Sequence, residues 1–334
     1  MVVLIKSGTI LRTSNLAVGY TSKKEQKTIL SGLNLRLNKG QLTCLLGPNG
    51  SGKSTLIRTL TSIQKPLSGG VEIDSKPLVN YSQKELARKI SLVLTDRSAP
   101  GNLTGYALVS LGRFPYTSWM GTLSESDKAL IHGAMESTGT LAFADRHIGE
   151  LSDGERQKIM IARALVQDTE MIFLDEPTAH LDLPNRIEIF HLLQELAHKS
   201  EKAILLSTHE MDMALSSADK LWLVSNDNTI QSGLPEDLVL NGELEKAFIR
   251  ESLEFDYETG GFRRKSEETK ARVAITGPDI LKRWTRSALE RNGFKVAEEA
   301  YLRIDISGSP EAPEWSTNKD KNTYKTIEEL LLNI

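Results

Sequence analysis

Apolar residues recur along this chain with two periods, and the changes of period mark out its elements. Leu42 to Leu46, Met171-Ile172-Phe173-Leu174 and Ala203-Ile204-Leu205-Leu206-Ser207 are short, nearly continuous apolar runs, which predict strands buried on both faces. Between them the spacing turns helical. Leu56 to Leu60 reads as the opening of a helix. Glu155 to Gln167 places Ile159, Ala162, Ala164 and Leu165 on one side, and Pro184 to Lys199 does the same with Ile187, Phe190, Leu193 and Leu196. This β-α-β alternation predicts a mostly parallel sheet with helices on both faces.

Three regions depart from that rhythm. Leu30 to Leu37 alternates apolar and polar side chains, so residues 10 to 46 read as an antiparallel β-region, with further short strands at Gly69 to Asp74 and Ile90 to Leu94. Residues from about 101 to 165 lack strand alternation and read as a helical insert. Within it, Ser126 to Thr138 is a helix aiming Ala129, Leu130, Ala134 and Met135 at a core. Beyond residue 255 the pattern restarts. Thr259-Gly260-Gly261 and the charged run Arg263 to Glu268 suit a boundary. Val273 to Ile275 then reads as a strand, and Gly277-Pro278-Asp279 as a helix start. The helix carries Leu281, Trp284, Ala288 and Leu289 inward and stops at Asn292-Gly293. Tyr301 to Ile306 reads as a strand and Thr323 to Leu332 as a terminal helix. The expected organisation is a domain over 1–255 and a small α/β accessory domain over 256–334.

Composition narrows the class without naming a function. The 334 residues carry a formal charge of −3 with no long block of one sign, so a large basic nucleic-acid surface is not indicated and no nucleic-acid partner is expected. The single cysteine, Cys44, lies inside an apolar strand and reads as a core residue; no intrachain disulfide can form. No apolar run approaches the ~20 residues needed to span a bilayer, so action at a membrane would run through a partner.

The chemistry concentrates after the first buried strand. Gly47-Pro48-Asn49-Gly50-Ser51-Gly52-Lys53-Ser54, followed by Thr55, fits the phosphate-binding loop pattern in its strand–loop–helix context. Glycines let successive N–H groups face one anion, and the helix N-terminus adds partial positive charge. Lys53 is assigned to the β- and γ-phosphates of ATP and Ser54 to Mg²⁺. Asp175-Glu176 ends another buried strand, at the sheet edge where ligands bind in such folds. Asp175 suits the Mg²⁺ shell, through water, and Glu176 suits a base that polarises the attacking water.

With these residues in place the chain resembles the ATP-binding cassette (ABC) ATPases. Leu151-Ser152-Asp153-Gly154-Glu155 resembles their signature, Ala179-His180-Leu181-Asp182 the D-loop, and Ser207-Thr208-His209 the strand end with the switch histidine. Tyr20 resembles the aromatic residue that stacks on adenine. The resemblance covers about residues 10 to 245. It implies an ATPase of P-loop type, in which two copies pair head to tail and enclose two ATP. Ser152 and Gly154 would meet the γ-phosphate of the partner's ATP, His209 would hold that phosphate and the water, and Asp182 would link the two sites. Asn49, Gly50, Ser51, Gly52, Lys53, Ser54 and Thr55 would line the nucleotide.

Three positions, in two motifs, depart from the family pattern. Thr95 stands where glutamine is usual, too short for the same reach toward Mg²⁺ unless Asp96 or a water substitutes. Asp153 and Glu155 replace glycine and glutamine. The interval between P-loop and signature holds no sustained heptads, unlike the repair and chromosome-organising members, and the chain has one cassette rather than two. Asn102-Leu103-Thr104 with Leu111-Gly112-Arg113-Phe114-Pro115-Tyr116 resembles cassettes of bacterial importers for iron chelates, haem and cobalamin. That implies polytopic permease subunits as partners, indirectly a substrate-binding protein, and a peripheral location on the cytoplasmic face of a bacterial inner membrane. A regulatory or nucleic-acid-associated ATPase, or an importer of another cargo, is the alternative.

Overall fold

The computed structural model describes residues 8–21, 25–94, 102–117, 121–248, 253–257, 260–264 and 271–334. Thr95 and Asp96 lie outside them. The chain divides into two compact units, 1–250 with 255–262, and 251–254 with 263–334.

The first unit opens with β1 (Thr9–Thr21), which pairs antiparallel with β2 (Gln26–Leu33) and β3 (Arg36–Asn38). The single alternating strand expected over Leu30 to Leu37 is therefore two. The cause is Thr13, whose hydroxyl accepts from the Leu35 amide at 2.8 Å and donates to the Leu33 carbonyl at 2.9 Å, taking the backbone partners a continuous strand would use. Next come β4 (Leu42–Leu46), α1 (Lys53–Leu60), β5 (Ser68–Ile73), β6 (Lys76–Pro77), α2 (Gln83–Leu86) and β7 (Ile90–Val93). The insert is α3 (Gly105–Ser110), α4 (Glu125–Ser137) and α5 (Asp153–Val166). Then follow β8 (Met171–Asp175), α6 (Leu183–Ser200), β9 (Ala203–Thr208), α7 (Met211–Ser217), β10 (Lys220–Val224), β11 (Ile230–Gly233), α8 (Pro235–Leu240) and α9 (Glu243–Phe248).

The main sheet has the order β11-β10-β4-β9-β8-β7, parallel except for the β11 edge. Its strands β4, β8, β9 and β10 are buried on both faces because alternate side chains enter different cores. Leu45, Phe173, Leu205 and Trp222 pack with α1 and the β1–β2 region, whereas Cys44, Leu46, Leu174 and Leu206 pack with α5, α6 and α7. One face is thus covered mainly by antiparallel sheet plus α1, not by helices alone as the alternation predicted. Burial pushes the Cys44 thiol far above its ordinary range, which fits a core residue.

The insert has its own core, including Leu108, Val109, Ile131, Met135, Ile159 and Val166. In α4 the inward residues are Ile131, Ala134 and Met135; Ala129 and Leu130 face outward. In α6, Ile187 is likewise exposed while Ile189 is buried. Gly112 and Arg113 pack against α5. A Cβ at Gly112 would lie 2.3 Å from the Arg163 carbonyl oxygen. The buried Arg113 guanidinium bonds Asp127 at 2.7 Å and the Val166 carbonyl at 3.0 Å. Phe114, by contrast, is exposed.

The hairpin β12 (Leu253–Asp256) and β13 (Gly261–Arg264) sends Phe255 and Phe262 into the α6–α7 core, so the expected boundary at 255/256 falls within it. The second unit is β14 (Arg272–Thr276), α10 (Asp279–Arg291), β15 (Lys295–Val296), β16 (Leu302–Ser309), β17 (Ala312–Thr317), β18 (Thr323–Tyr324) and α11 (Ile327–Leu332), with sheet order β15-β14-β16-β17-β18. Trp284 is exposed rather than inward. Thr285 takes the core position and accepts the Trp315 indole N–H at 2.8 Å. Thr323-Tyr324 is a strand, so the terminal helix is shorter than expected.

Candidate active site

The sheet order brings the candidate groups together. β9 lies between β4 and β8, so the loop after Leu46, the carboxylates after Leu174 and His209 after Thr208 all leave the same edge. Gly50 and Gly52 adopt left-handed φ angles of 80° and 98°, which side chains resist. Gly52 is also the N-cap of α1 and supplies no side-chain bond. By contrast α5 and α6 are capped by Ser152 and Asp182. The first-turn amides of α1 therefore lack a capping acceptor, and the Ser51 hydroxyl beside them is buried without a partner. An anion placed there would complete both, so the loop fits the phosphates of ATP.

Lys53 is buried, and its ammonium bonds the Gly47 and Pro48 carbonyls at 3.0 and 3.1 Å and pairs with Glu176 at 3.3 Å. The Ser54 hydroxyl donates to Asp175 Oδ1 at 3.0 Å. A hydroxyl and a carboxylate side by side are the hard oxygen donors Mg²⁺ takes, with the remaining positions left to water and phosphate. Glu176 has φ of 47°, a left-handed conformation that costs a non-glycine residue about 1–2 kcal/mol. Two bonds hold it, from its amide to the Ser207 carbonyl at 3.2 Å and to the Ser207 hydroxyl at 3.0 Å. That hydroxyl also donates to Asp175 at 2.6 Å. Ser207 thus fixes both carboxylate residues at once, a role the sequence does not announce. His209 Nδ1 lies 3.6 Å from Glu176 Oε2, so Glu176 stands between Lys53 and His209.

The Tyr20 ring is half-exposed, and its hydroxyl bonds the Thr55 hydroxyl at 2.8 Å, which places an open aromatic face beside the P-loop helix. Asn49 is adjacent in the loop. Ser152 and Gly154 make no hydrogen bond to residues 47–55 among the described residues. Ser152 and Glu155 form a reciprocal capping box. The Ser152 amide, with Arg146 adding, holds the Glu155 carboxyl below its usual range. Arg146 lies 3.4 Å from Glu155 and Arg156 lies 3.1 Å from Asp153, so both unusual signature acids have a cation. A Cβ on Gly154 would lie 2.4 Å from the Asn185 side chain, which itself donates to Asp182 at 2.6 Å.

The chain is similar to known proteins. Residues 30–179 match the ABC transporter family, and residues 269–334 match the iron ABC transporter C-terminal domain. An uncharacterised ABC transporter ATP-binding protein of Methanocaldococcus jannaschii is 38% identical, covering 82% of this chain and 95% of its own. This chain belongs to the ABC transporter family. As a member it is an ATP-hydrolysing cassette. The achromobactin transport ATP-binding protein of Dickeya dadantii is 37% identical, covering 69% of this chain and 84% of its own. Among solved structures, an inward-facing metal-chelate type ABC transporter superposes with a TM-score of 0.63 at 28% identity, covering 77% of this chain and 96% of that one. Among the described residues no helix is long and apolar enough to cross a membrane.

Proposed function

We propose that this ATPase powers import of an iron chelate, working as a head-to-tail pair of copies at the cytoplasmic face of a membrane against polytopic permease subunits. The observation that carries the hydrolytic part is the position of Glu176. Its carboxylate lies between the Lys53 ammonium and the His209 imidazole, one residue past Asp175. A water held there could lose its proton to Glu176 while Lys53 and His209 steady the γ-phosphate. Mg²⁺ held by Ser54 and, through water, Asp175 would neutralise phosphate charge. Tyr20 would stack on adenine, and the loop from Asn49 through Gly50, Ser51 and Gly52 to Thr55 would wrap the phosphates.

A solved bacterial ABC transporter cassette, 25% identical with a TM-score of 0.59, is dimeric, which supports the two-copy reading; the γ-phosphate contacts of Ser152 and Gly154 would then come from the partner. Asp182, close to Gly154 through Asn185, would report one site to the other. The cargo reading rests on the achromobactin relative, the metal-chelate structure and the iron C-terminal match. Cobalamin is the competing cargo, from a relative of that name in Halobacterium salinarum.

Reconstitution with its permease tests the reading. ATP-dependent uptake of a ferric chelate that disappears with Lys53→Ala is expected. Uptake of cobalamin alone would replace the cargo assignment. Failure to co-purify with any polytopic membrane protein would favour a regulatory or nucleic-acid-associated ATPase.

A further inference from the structure

One buried acid beside the active site has no part in the chemistry above. Glu210 follows His209 and is almost completely enclosed. Its Oε2 accepts from the Thr178 hydroxyl at 3.1 Å, and its Oε1 lies 3.4 Å from the Arg186 guanidinium. Arg186, on α6, donates from Nε to the Leu181 carbonyl at 2.8 Å. Thr178 and Leu181 frame the segment that begins at Glu176 and ends at Asp182. That segment is folded on itself, with the Ala179 amide on the Glu176 carbonyl at 3.1 Å and the Leu181 amide on the Thr178 carbonyl at 3.1 Å. Glu176 and His180 within it both adopt left-handed φ, at 47° and 71°, so it needs external restraint. A buried carboxylate is costly unless bonded, and burial pushes the Glu210 pKa upward. Among the described residues, its carboxylate bonds lead to this segment and to the Arg186 that holds it.

We propose that Glu210 is a positioning residue, which through Thr178 and Arg186 locks the Glu176–Asp182 segment to the loop bearing His209. The pieces it joins are those assigned to the attacking water, the γ-phosphate and the link between the two sites. Movement of His209 with the γ-phosphate is therefore transmitted to Asp182, and the two sites of a pair fire together. This inference rests on the two-copy reading above.

The test is steady-state ATP turnover of the full chain bearing Glu210→Ala, Glu210→Gln, Arg186→Ala, or both alanine changes. Nucleotide affinity, Hill coefficient and Tm are measured alongside. Glu210→Ala is expected to lower kcat about tenfold or more and bring the Hill coefficient toward one. Affinity for a fluorescent ATP analogue should hold within about threefold. Glu210→Gln, which can still accept from Thr178, should recover part of kcat. The double variant should lose no more than the worse single one, as groups acting through one strut do. Wild-type kcat and Hill coefficient in a folded Glu210→Ala variant would overturn the proposal, as would additive losses in the double variant. A fall in Tm that carries affinity down equally would mark a merely structural role and also overturn it. Glu176→Gln is run in parallel. If it traps no ATP-bound pair, the two-copy reading fails independently of Glu210.

Discussion

Ser207 shows how one hydroxyl can set the geometry of two functional residues. It bonds Asp175 Oδ1 at 2.6 Å and the Glu176 amide at 3.0 Å from the strand between the P-loop and the acid pair. Removing it takes one hydrogen bond from each, at about 0.5–1.5 kcal/mol apiece, while Ser54 still bonds Asp175 and the Ser207 carbonyl still accepts from the Glu176 amide. Ser207→Ala should therefore lower kcat roughly tenfold with little change in nucleotide affinity, measured by ATPase kinetics and analogue titration. Tyr20→Ala should act in the opposite sense. Loss of an aromatic face worth about 0.5–1.5 kcal/mol should raise KM for ATP some three- to tenfold and spare kcat. Glycines and acids at fixed spacing made Lys53, Ser54, Asp175 and Glu176 legible in the sequence. Ser207 and Glu210 were not, because a serine in an apolar strand and an acid after a histidine carry no spacing rule. Their roles arise from which strands become neighbours. The cations balancing Asp153 and Glu155 were equally hidden, since Arg146 lies outside the signature.

Among the elements, α1 differs from α5 and α6 in how its N-terminus is capped. The start of α1 offers its amides without a side-chain cap, while α5 and α6 begin on Ser152 and Asp182. Gly154 adds a steric tie between these last two. Gly154→Ala would push Asn185 off Asp182, and is expected to weaken ATP-dependent pairing several-fold while Tm changes little, as read by size-exclusion chromatography with Mg-ATP. In the insert, Ser124 and then Arg113 hold the Asp127 carboxyl down at about 2. The folded value lies below the ordinary 3.8, so the associated stability is present at neutral pH. It declines as pH falls from about 4 toward 2. Acid unfolding of Asp127→Asn should lack that component, seen as a flatter dependence of Tm on pH over this window. Element types were largely legible, because buried strands and long helices have clear periods. Individual facing residues were less so. Leu130, Ile187 and Trp284 are apolar yet exposed, and Thr285 is polar yet buried because Trp315 gives it a hydrogen bond.

At the scale of the molecule, the first unit carries the candidate hydrolytic groups and the second carries the iron-type C-terminal match. The restart of pattern beyond residue 255 was readable, but the nature of the tail was not, since its residues show no spaced chemical motif. The hairpin at 253–264 crosses the composition boundary because its phenylalanines belong to the first unit's core. The central claim is that Glu176 is the base of an ATP-driven, two-copy cycle. ATP turnover of Glu176→Gln beside wild type, with size-exclusion chromatography in Mg-ATP, tests it most directly. Turnover should fall at least about a hundredfold, and the variant should elute as an ATP-bound pair. Wild-type turnover, or loss of turnover without any trapped pair, would contradict it.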